Sequence, residues 1–274
     1  MNTIDLHIHT TCSDGSLTPA EMVALAAGKK LQVIAITDHN TVSGIEEAII
    51  CGKANRVTVI PGIEFTITDF HYKTHLLAYG IEYQHPLLLQ ALKKYKLSRH
   101  KSIIIFMKKM RESGIDVSEE LIRSRYGRLS FKNIAKFLCA TNVVSSVDEA
   151  FSKYINKEHF SPSKPGFLLK ETLELIKTIN GIAVLAHPFT ISTDMECLDE
   201  SIGYLKKQGL QGLECYYSHY DAGQIAILVK LAEKHSLFVT GGSDYHGEWS
   251  NGIEMGSGKG DLVVPQHVLT PFNL

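Results

Sequence analysis

The sequence predicts an α/β fold of mostly parallel strands with a helical insertion in mid-chain. Three observations lead there. Strand-length apolar runs alternate with helix-length segments at both ends of the chain, the rhythm of strands joined by crossover helices. The run Val33-Ile34-Ala35-Ile36 is apolar throughout, as a parallel strand covered on both faces requires. Between residues 98 and 165 the rhythm stops: the segments read as short helices rich in Lys, Arg and Ser, with no convincing strand.

Taken in order, Thr3-Ile4-Asp5-Leu6-His7-Ile8-His9 alternates strictly, with Ile4, Leu6 and Ile8 on one face and Asp5, His7 and His9 on the other, the period of a strand. A turn follows at Ser13-Asp14-Gly15. Thr18-Pro19-Ala20-Glu21 is a capping box with proline at the first helical position, and opens a helix over about 19–30. The strand 33–37 ends at Asp38-His39, and a helix runs on to about 54. Val57–Ile60 and Ile63–Ile67 read as strand on either side of Pro61-Gly62, His75–Ile81 as another, and Pro86 opens a long helix to about Ser113. In the insertion, helices are expected at 98–113, 118–126, 130–140 and 147–156, with Pro162, Pro165 and Gly166 marking the return. Strands at 181–187, 212–217 and 237–240 then alternate with helices at about 195–208 and 221–235. The expected organisation is a barrel first part over 1–97, a helical insertion over 98–165 and a barrel second part over 166–274.

Composition excludes several classes. A chain of 274 residues with 44% hydrophobic and 21% charged residues is that of a globular protein with a sizeable core. A net charge of −1 offers no overall basic surface, so long duplex nucleic acid is not an expected partner. No apolar run of about 18 residues suggests a membrane span. The polar start Met1-Asn2-Thr3-Ile4-Asp5 does not read as a signal peptide. Five scattered cysteines without a CxxC pair argue against a disulfide framework or a thiolate zinc site, and point to a cytoplasmic protein. No Gly-rich phosphate loop of the Walker type is present. Thirteen histidines stand out.

Their positions carry the chemistry. His7 and His9 share a strand face, and His39 directly follows a buried strand. Glu64 sits in an otherwise apolar strand, His187 ends Val184-Leu185-Ala186, and Asp244 and His246 follow Gly241-Gly242. Each has a plainer role available: a polar strand face, a helix cap, a loop residue, a strand-end hydrogen bonder. All fall at the same predicted edge, however, where the strand ends of α/β barrels gather their active sites. Imidazole and carboxylate together suit zinc, manganese or iron. A charged Glu64 in an apolar strand is costly unless paired or coordinating, and its two oxygens can bridge two ions.

Read in order, Asp5-Leu6-His7-Ile8-His9-Thr10, Ser13-Asp14-Gly15, Ile36-Thr37-Asp38-His39, Gly62-Ile63-Glu64, His75-Leu76-Leu77-Ala78-Tyr79, Ala186-His187-Pro188 and Gly242-Ser243-Asp244-Tyr245-His246-Gly247 strongly resemble the polymerase and histidinol phosphatase (PHP) family. The resemblance implies a distorted seven-stranded (β/α) barrel with a trinuclear site of divalent metals, expected as manganese, with zinc or iron as alternatives. Carried over, His7, His9, Glu64 and Asp244 would hold one ion, and Asp14, His39 and His246 a second. Glu64, His75 and His187 would hold a third. Asp14 and His75 enter only through this resemblance.

The branch it most resembles is the stand-alone bacterial phosphoesterases acting on nucleoside 3′,5′-bisphosphates and short oligonucleotides. That branch has Gly-Arg-Pro-His in the insertion where this chain has Gly127-Arg128-Leu129-Ser130. Arg128 remains a phosphate clamp, since guanidinium suits bidentate phosphate contacts. Asn40 stands where aspartate is common. Tyr216-Tyr217-Ser218-His219 loosely matches a motif of the branch and makes His219 a candidate for the phosphate or the leaving group, with an ordinary surface histidine as the alternative. Arg99, His71, His85, His100, His159, His235 and His267 read as solvated or structural residues.

The expected function is hydrolysis of a phosphomonoester of a nucleotide-like substrate, by attack of a metal-bridging hydroxide. The catalytic residues would be Glu64, Arg128 and His219. The rivals are a phosphatase of the same family with another substrate, such as histidinol phosphate, and a non-catalytic metal-binding accessory domain. An amidohydrolase-type deaminase shares the His-x-His barrel site but not the Ser13-Asp14-Gly15 and Asp38-His39 elements.

Overall fold

The computed structural model describes residues 4–71, 74–157, 160 and 165–272; Pro162 and His159 lie outside them. Among the described residues, seven strands form one sheet in sequence order: β1 (Ile4–Ile8), β2 (Val33–Ile36), β3 (Thr58–Thr66), β4 (His75–Tyr79), β5 (Ile182–Leu185), β6 (Gly212–Tyr217) and β7 (Phe238–Gly242). β7 returns beside β1, where Asp244 N donates to His7 O at 2.7 Å and His9 N to Tyr245 O at 2.9 Å. The sheet is thereby nearly closed into a barrel. Helices α1 (Pro19–Gly28), α2 (Ile45–Asn55), α7 (Leu169–Thr178), α8 (Met195–Gln208) and α9 (Ala222–Lys234) link the parallel strands or precede them.

Local sequence accounts for the element ends. Thr18 and Glu21 form the reciprocal capping box expected at α1, with Pro19 at the first helical position. Asp221 and Gln224 form the equivalent box at α9, and Asp194 caps α8. β3 runs unbroken through Pro61-Gly62, where the sequence suggests two strands. Its first half pairs with β2 through Pro61, and its second half pairs with β4 from Gly62 onward. The proline, which has no N–H to donate, falls at the hand-over between partners.

β4 is antiparallel to both neighbours, β3 and β5, whereas the other pairings are parallel. The cause is the short connection over residues 67–74, too short for the crossover that a parallel pair needs. The first residue of β4, His75, lies at the rim where the parallel strands end.

Backbone contacts divide the chain into Met1–Leu92 with Gly166–Leu274, and Lys93–Pro165. The long helix α3 (Pro86–Glu112) runs through that boundary. The second unit contains α4 (Glu119–Tyr126), α5 (Phe131–Ala140) and α6 (Val147–Ala150), which passes into a π-helical turn at Phe151–Ile155. It has its own core of Ile103, Phe106, Met107, Met110, Ile122, Ile134, Phe137 and Leu138. Ser130 caps α5 by accepting from Asn133 N, and Leu129 packs at the edge of that core. The two residues that depart from the family motif thus have structural work here.

In the barrel unit, Ile8, Met22, Val23, Ile34, Ile36 and Ala48 join α1 and α2 to the first strands. A larger cluster joins α7, α8 and α9 to β3–β6. The C-terminal segment packs Leu262, Val264, Val268 and Leu269 against Ile4, Leu6, Val33 and Ile60. Fully buried Tyr79 satisfies its hydroxyl by donating to Leu6 O at 2.8 Å. All five cysteines are free. No helix among the described residues is long and apolar enough to cross a membrane.

Candidate metal centre

The barrel rim gathers nine side chains that sequence and resemblance singled out: His7, His9, Asp14, His39, Glu64, His75, His187, Asp244 and His246. Glu64 is the hub. Its Oε2 lies 3.4 Å from His7 Nε2, 3.3 Å from His9 Nε2 and 2.9 Å from His39 Nδ1. Its Oε1 lies 2.8 Å from His75 Nδ1 and 3.1 Å from His187 Nε2. Asp244 Oδ1 lies 3.0 Å from His9 Nε2 and 3.4 Å from His7 Nε2. Asp14 Oδ1 approaches His246 Nε2 at 3.3 Å and His39 Nε2 at 4.0 Å.

Each donor is placed by a local device. The turn after β1 is clamped by buried Asp38, which accepts from Thr10 N at 2.7 Å, from Thr10 Oγ1 at 2.6 Å and from Ser13 Oγ at 2.5 Å. That clamp presents Asp14. It also requires Gly15, where a Cβ would lie 2.2 Å from His9 O. Asp5, wholly buried, accepts from Ser243 N at 2.8 Å, Ser243 Oγ at 2.6 Å and Gly256 N at 2.7 Å, and so ties β1 to the segment bearing Asp244 and His246. Gly242 lets that seam close, since a Cβ there would lie 2.3 Å from His7 N. Asn40 binds Thr66 through both ends of its amide, at 2.9 Å each, and fastens the His39 turn to β3. Asp244 and His187 have φ of 57° and 30°, left-handed values that cost a non-glycine residue energy and cluster at functional sites.

Among the protein groups alone, the electrostatics are those of an interleaved cation–anion cluster. Burial opposes the charge on His7, but the carboxylates of Glu214, Asp244 and Glu64 outweigh it and hold the pKa well above the usual histidine value. His39, opposed by burial and favoured chiefly by Glu64, is raised to about 9. Burial and the facing His246 and His39 push His9 down to about 4. Asp14, Glu64 and Asp244 all lie low despite burial because histidines surround them.

The residues fit divalent cations. His7 Nε2, His9 Nε2 and Glu64 Oε2 are buried, converge on one another and make no hydrogen bond of good geometry, an arrangement that is expensive in a protein interior without an ion. Among the described residues, three groups have donor atoms within 4.8 Å of one another: His9, Asp14, His39 and His246; His7, His9 and Glu64; and His39, Glu64 and His75. The donors are nitrogen and carboxylate oxygen without thiolate, the set for zinc, manganese or iron.

His219 and Arg128 are not members of these groups. His219 is exposed beyond Tyr217, with ring centroids 5.4 Å apart. Tyr217 itself donates to Asp244 Oδ2 at 2.9 Å. Arg128 belongs to the second unit, in the turn between α4 and α5, where its carbonyl accepts from Asn133 Nδ2 at 2.9 Å. His71 pairs with Ser201 Oγ at 3.1 Å, His235 with Asp199 at 2.7 Å, and His85 Nδ1 accepts from Leu87 N at 3.2 Å. These are structural roles.

The PHP domain family matches residues 5–187. The chain belongs to the PHP domain family. It is 25% identical over 272 residues to the 3′,5′-nucleoside bisphosphate phosphatase of Chromobacterium violaceum, covering 93% of this chain and 91% of that protein. It is 28% identical over 249 residues to a 5′-3′ exoribonuclease of Haemophilus influenzae, covering 88% and 89%. The crystal structure of a Bifidobacterium adolescentis protein described as a metal-dependent phosphoesterase superposes with a TM-score of 0.81 at 24% identity, covering 98% of this chain and 94% of that one. That likeness supports the seven-stranded PHP barrel expected from the sequence. The expected class of enzyme, a metal-dependent phosphoric ester hydrolase, is borne out by these relatives.

Proposed function

We propose that this PHP protein hydrolyses a phosphomonoester of a nucleotide-like substrate, either a nucleoside 3′,5′-bisphosphate or the 5′ end of a short oligonucleotide. The observation that carries this reading is the convergence of five histidines on the two oxygens of one buried carboxylate, Glu64. The names of the relatives in Chromobacterium violaceum and Haemophilus influenzae support the substrate class.

In the proposal, His7, His9, Glu64 and Asp244 hold one divalent cation, and Asp14, His39 and His246 hold a second. Glu64, His75 and His187 hold a third. His9 lies close enough to the Asp14 group to serve it as well. Manganese is the proposed ion. Bound there, the cations supply Lewis acidity, lowering the pKa of water and neutralising phosphoryl charge. The chain's own groups do the rest. Glu64 fixes the spacing of the histidines on both sides of it. Tyr217 holds Asp244 by its second oxygen. Arg128 is proposed as a phosphate-binding cation on its chemistry. His219, exposed beyond Tyr217, is proposed to donate a proton to the leaving oxygen.

The test is phosphate release by manganese-loaded protein from nucleoside 3′,5′-bisphosphates, 5′-phosphorylated trinucleotides, histidinol phosphate and a generic aryl phosphate. Turnover of the first two well above the others is expected. No release from any of them, with manganese confirmed on the protein, refutes the proposal; preference for histidinol phosphate replaces its substrate.

A further inference from the structure

Glu214 is a second acidic residue inside an apolar strand, in Gly212-Leu213-Glu214-Cys215 of β6, and it is fully buried. Both of its oxygens are occupied. Oε1 lies 2.8 Å from His7 Nδ1, and Oε2 accepts from the backbone N of His187 at 2.7 Å. Its oxygens therefore point to the back of the histidine cluster, and it belongs to none of the three groups able to hold an ion.

The first contact decides which face His7 presents. A carboxylate is acceptor-only, so the His7 nitrogen facing it carries the proton. The opposite nitrogen, Nε2, is then the one that offers its lone pair to the centre. Nε2 is the atom that lies 3.4 Å from both Glu64 Oε2 and Asp244 Oδ1. The second contact holds the amide of His187, whose φ of 30° is a left-handed value that a residue before proline does not adopt without support. His187 Nε2 lies 3.1 Å from Glu64 Oε1. One carboxylate thus anchors two histidines that reach the opposite oxygens of Glu64.

We infer that Glu214 is a positioning residue of the metal centre, which sets the tautomer of His7 and the seat of His187 and so aims both imidazoles at the oxygens of Glu64. The inference rests on the metal-centre reading above. Carboxylates behind ligating histidines typically govern metal affinity by 10–100-fold.

Glu214→Gln preserves shape but offers one acceptor oxygen and an NH2 group. It cannot accept from both His7 Nδ1–H and His187 N–H. Manganese affinity is read by calorimetric titration and by electron paramagnetic resonance of the free ion. The expected result is a 10–100-fold weaker tightest site, with activity recovering toward wild type as manganese is raised. Wild-type affinity and stoichiometry in a folded variant overturn the inference. So does an activity loss that added manganese does not relieve. If the variant does not fold, long-range 1H–15N correlation on the zinc-loaded wild-type protein reads the same point, with His7 identified by His7→Gln. Protonation at Nδ1 is expected, and a proton on His7 Nε2 overturns the inference. A wild-type protein that binds no divalent ion refutes the metal-centre reading itself, an outcome distinct from a variant that binds like wild type.

Discussion

Glu64→Gln removes one negative charge at constant shape from the point where five imidazoles meet. The distances are short, between 2.8 and 3.4 Å, and the carboxylate is essentially unexposed. A unit charge pair at about 4 Å with an effective dielectric near 20 interacts by roughly 4 kcal/mol. Removing one partner of a buried ion pair costs about 3–5 kcal/mol. In chelator-treated protein the loss is therefore expected in that range, tempered because His39 and His7 release protons once their carboxylate is gone. In manganese-loaded protein the same change takes away the proposed bridge. An interaction of about 4 kcal/mol in the transition state corresponds to roughly a thousandfold in rate, so kcat should fall by about that factor, with fewer ions retained per chain. The assays are urea unfolding with and without chelator, metal content by mass spectrometry after gel filtration, and phosphate release. A variant that keeps wild-type turnover and full metal content would falsify the bridging role.

Chelator-treated wild-type protein should be most stable near about pH 6. His39, raised to about 9, stabilises fully below its unfolded value of about 6.5, and this is lost as pH rises to 9. His9, lowered to about 4, and the low-lying Asp14 and Glu64 withdraw stability as pH falls below about 6.5 and about 4 respectively. Manganese-loaded protein should show the opposite trend on the alkaline side, because metal ions compete with those protons; parallel alkaline melting curves with and without manganese would contradict this. Asp5→Asn should cost roughly 2–4 kcal/mol in urea unfolding, since the amide cannot accept from Ser243 N, Ser243 Oγ and Gly256 N together; a loss below about 0.5 kcal/mol would show that the seam tolerates the change. Arg128→Ala should raise KM for a nucleoside bisphosphate about tenfold or more and leave manganese binding unchanged; an unaltered KM would remove Arg128 from the substrate site.

Much of the site is legible in the sequence because parallel strands deliver their C-terminal ends to one rim. His7, His9, His39, His187, Asp244 and His246 all follow that rule. His75 does not, and the reason is topological. It begins its strand, and only the antiparallel course of β4 brings that beginning to the rim. Asp14 escapes periodicity because it sits in a turn. Its placement depends on contacts from Asp38 to Thr10 and Ser13, 28 and 25 residues away. The helices and strands themselves follow closely from capping residues and apolar runs, whose causes are local.

Asp38 and Asp5 show why residue type alone misleads at such a rim. Both are buried acids beside the histidines, yet their oxygens are taken up by backbone N–H and hydroxyl donors. They build the walls. Glu64 differs in having only imidazole nitrogens around it. Glu214 is divided between the two patterns, with one oxygen on an imidazole and the other on a backbone amide. The sequence signal, an acid in an apolar strand, is the same for Glu64 and Glu214. What separates a ligand from its support is the donor each oxygen meets, and those donors come from other strand ends, between 11 and 207 residues away in the chain. Glu214 carries that signal yet is not among the candidates read from the sequence, and only the fold assigns it a place behind His7 rather than beside it.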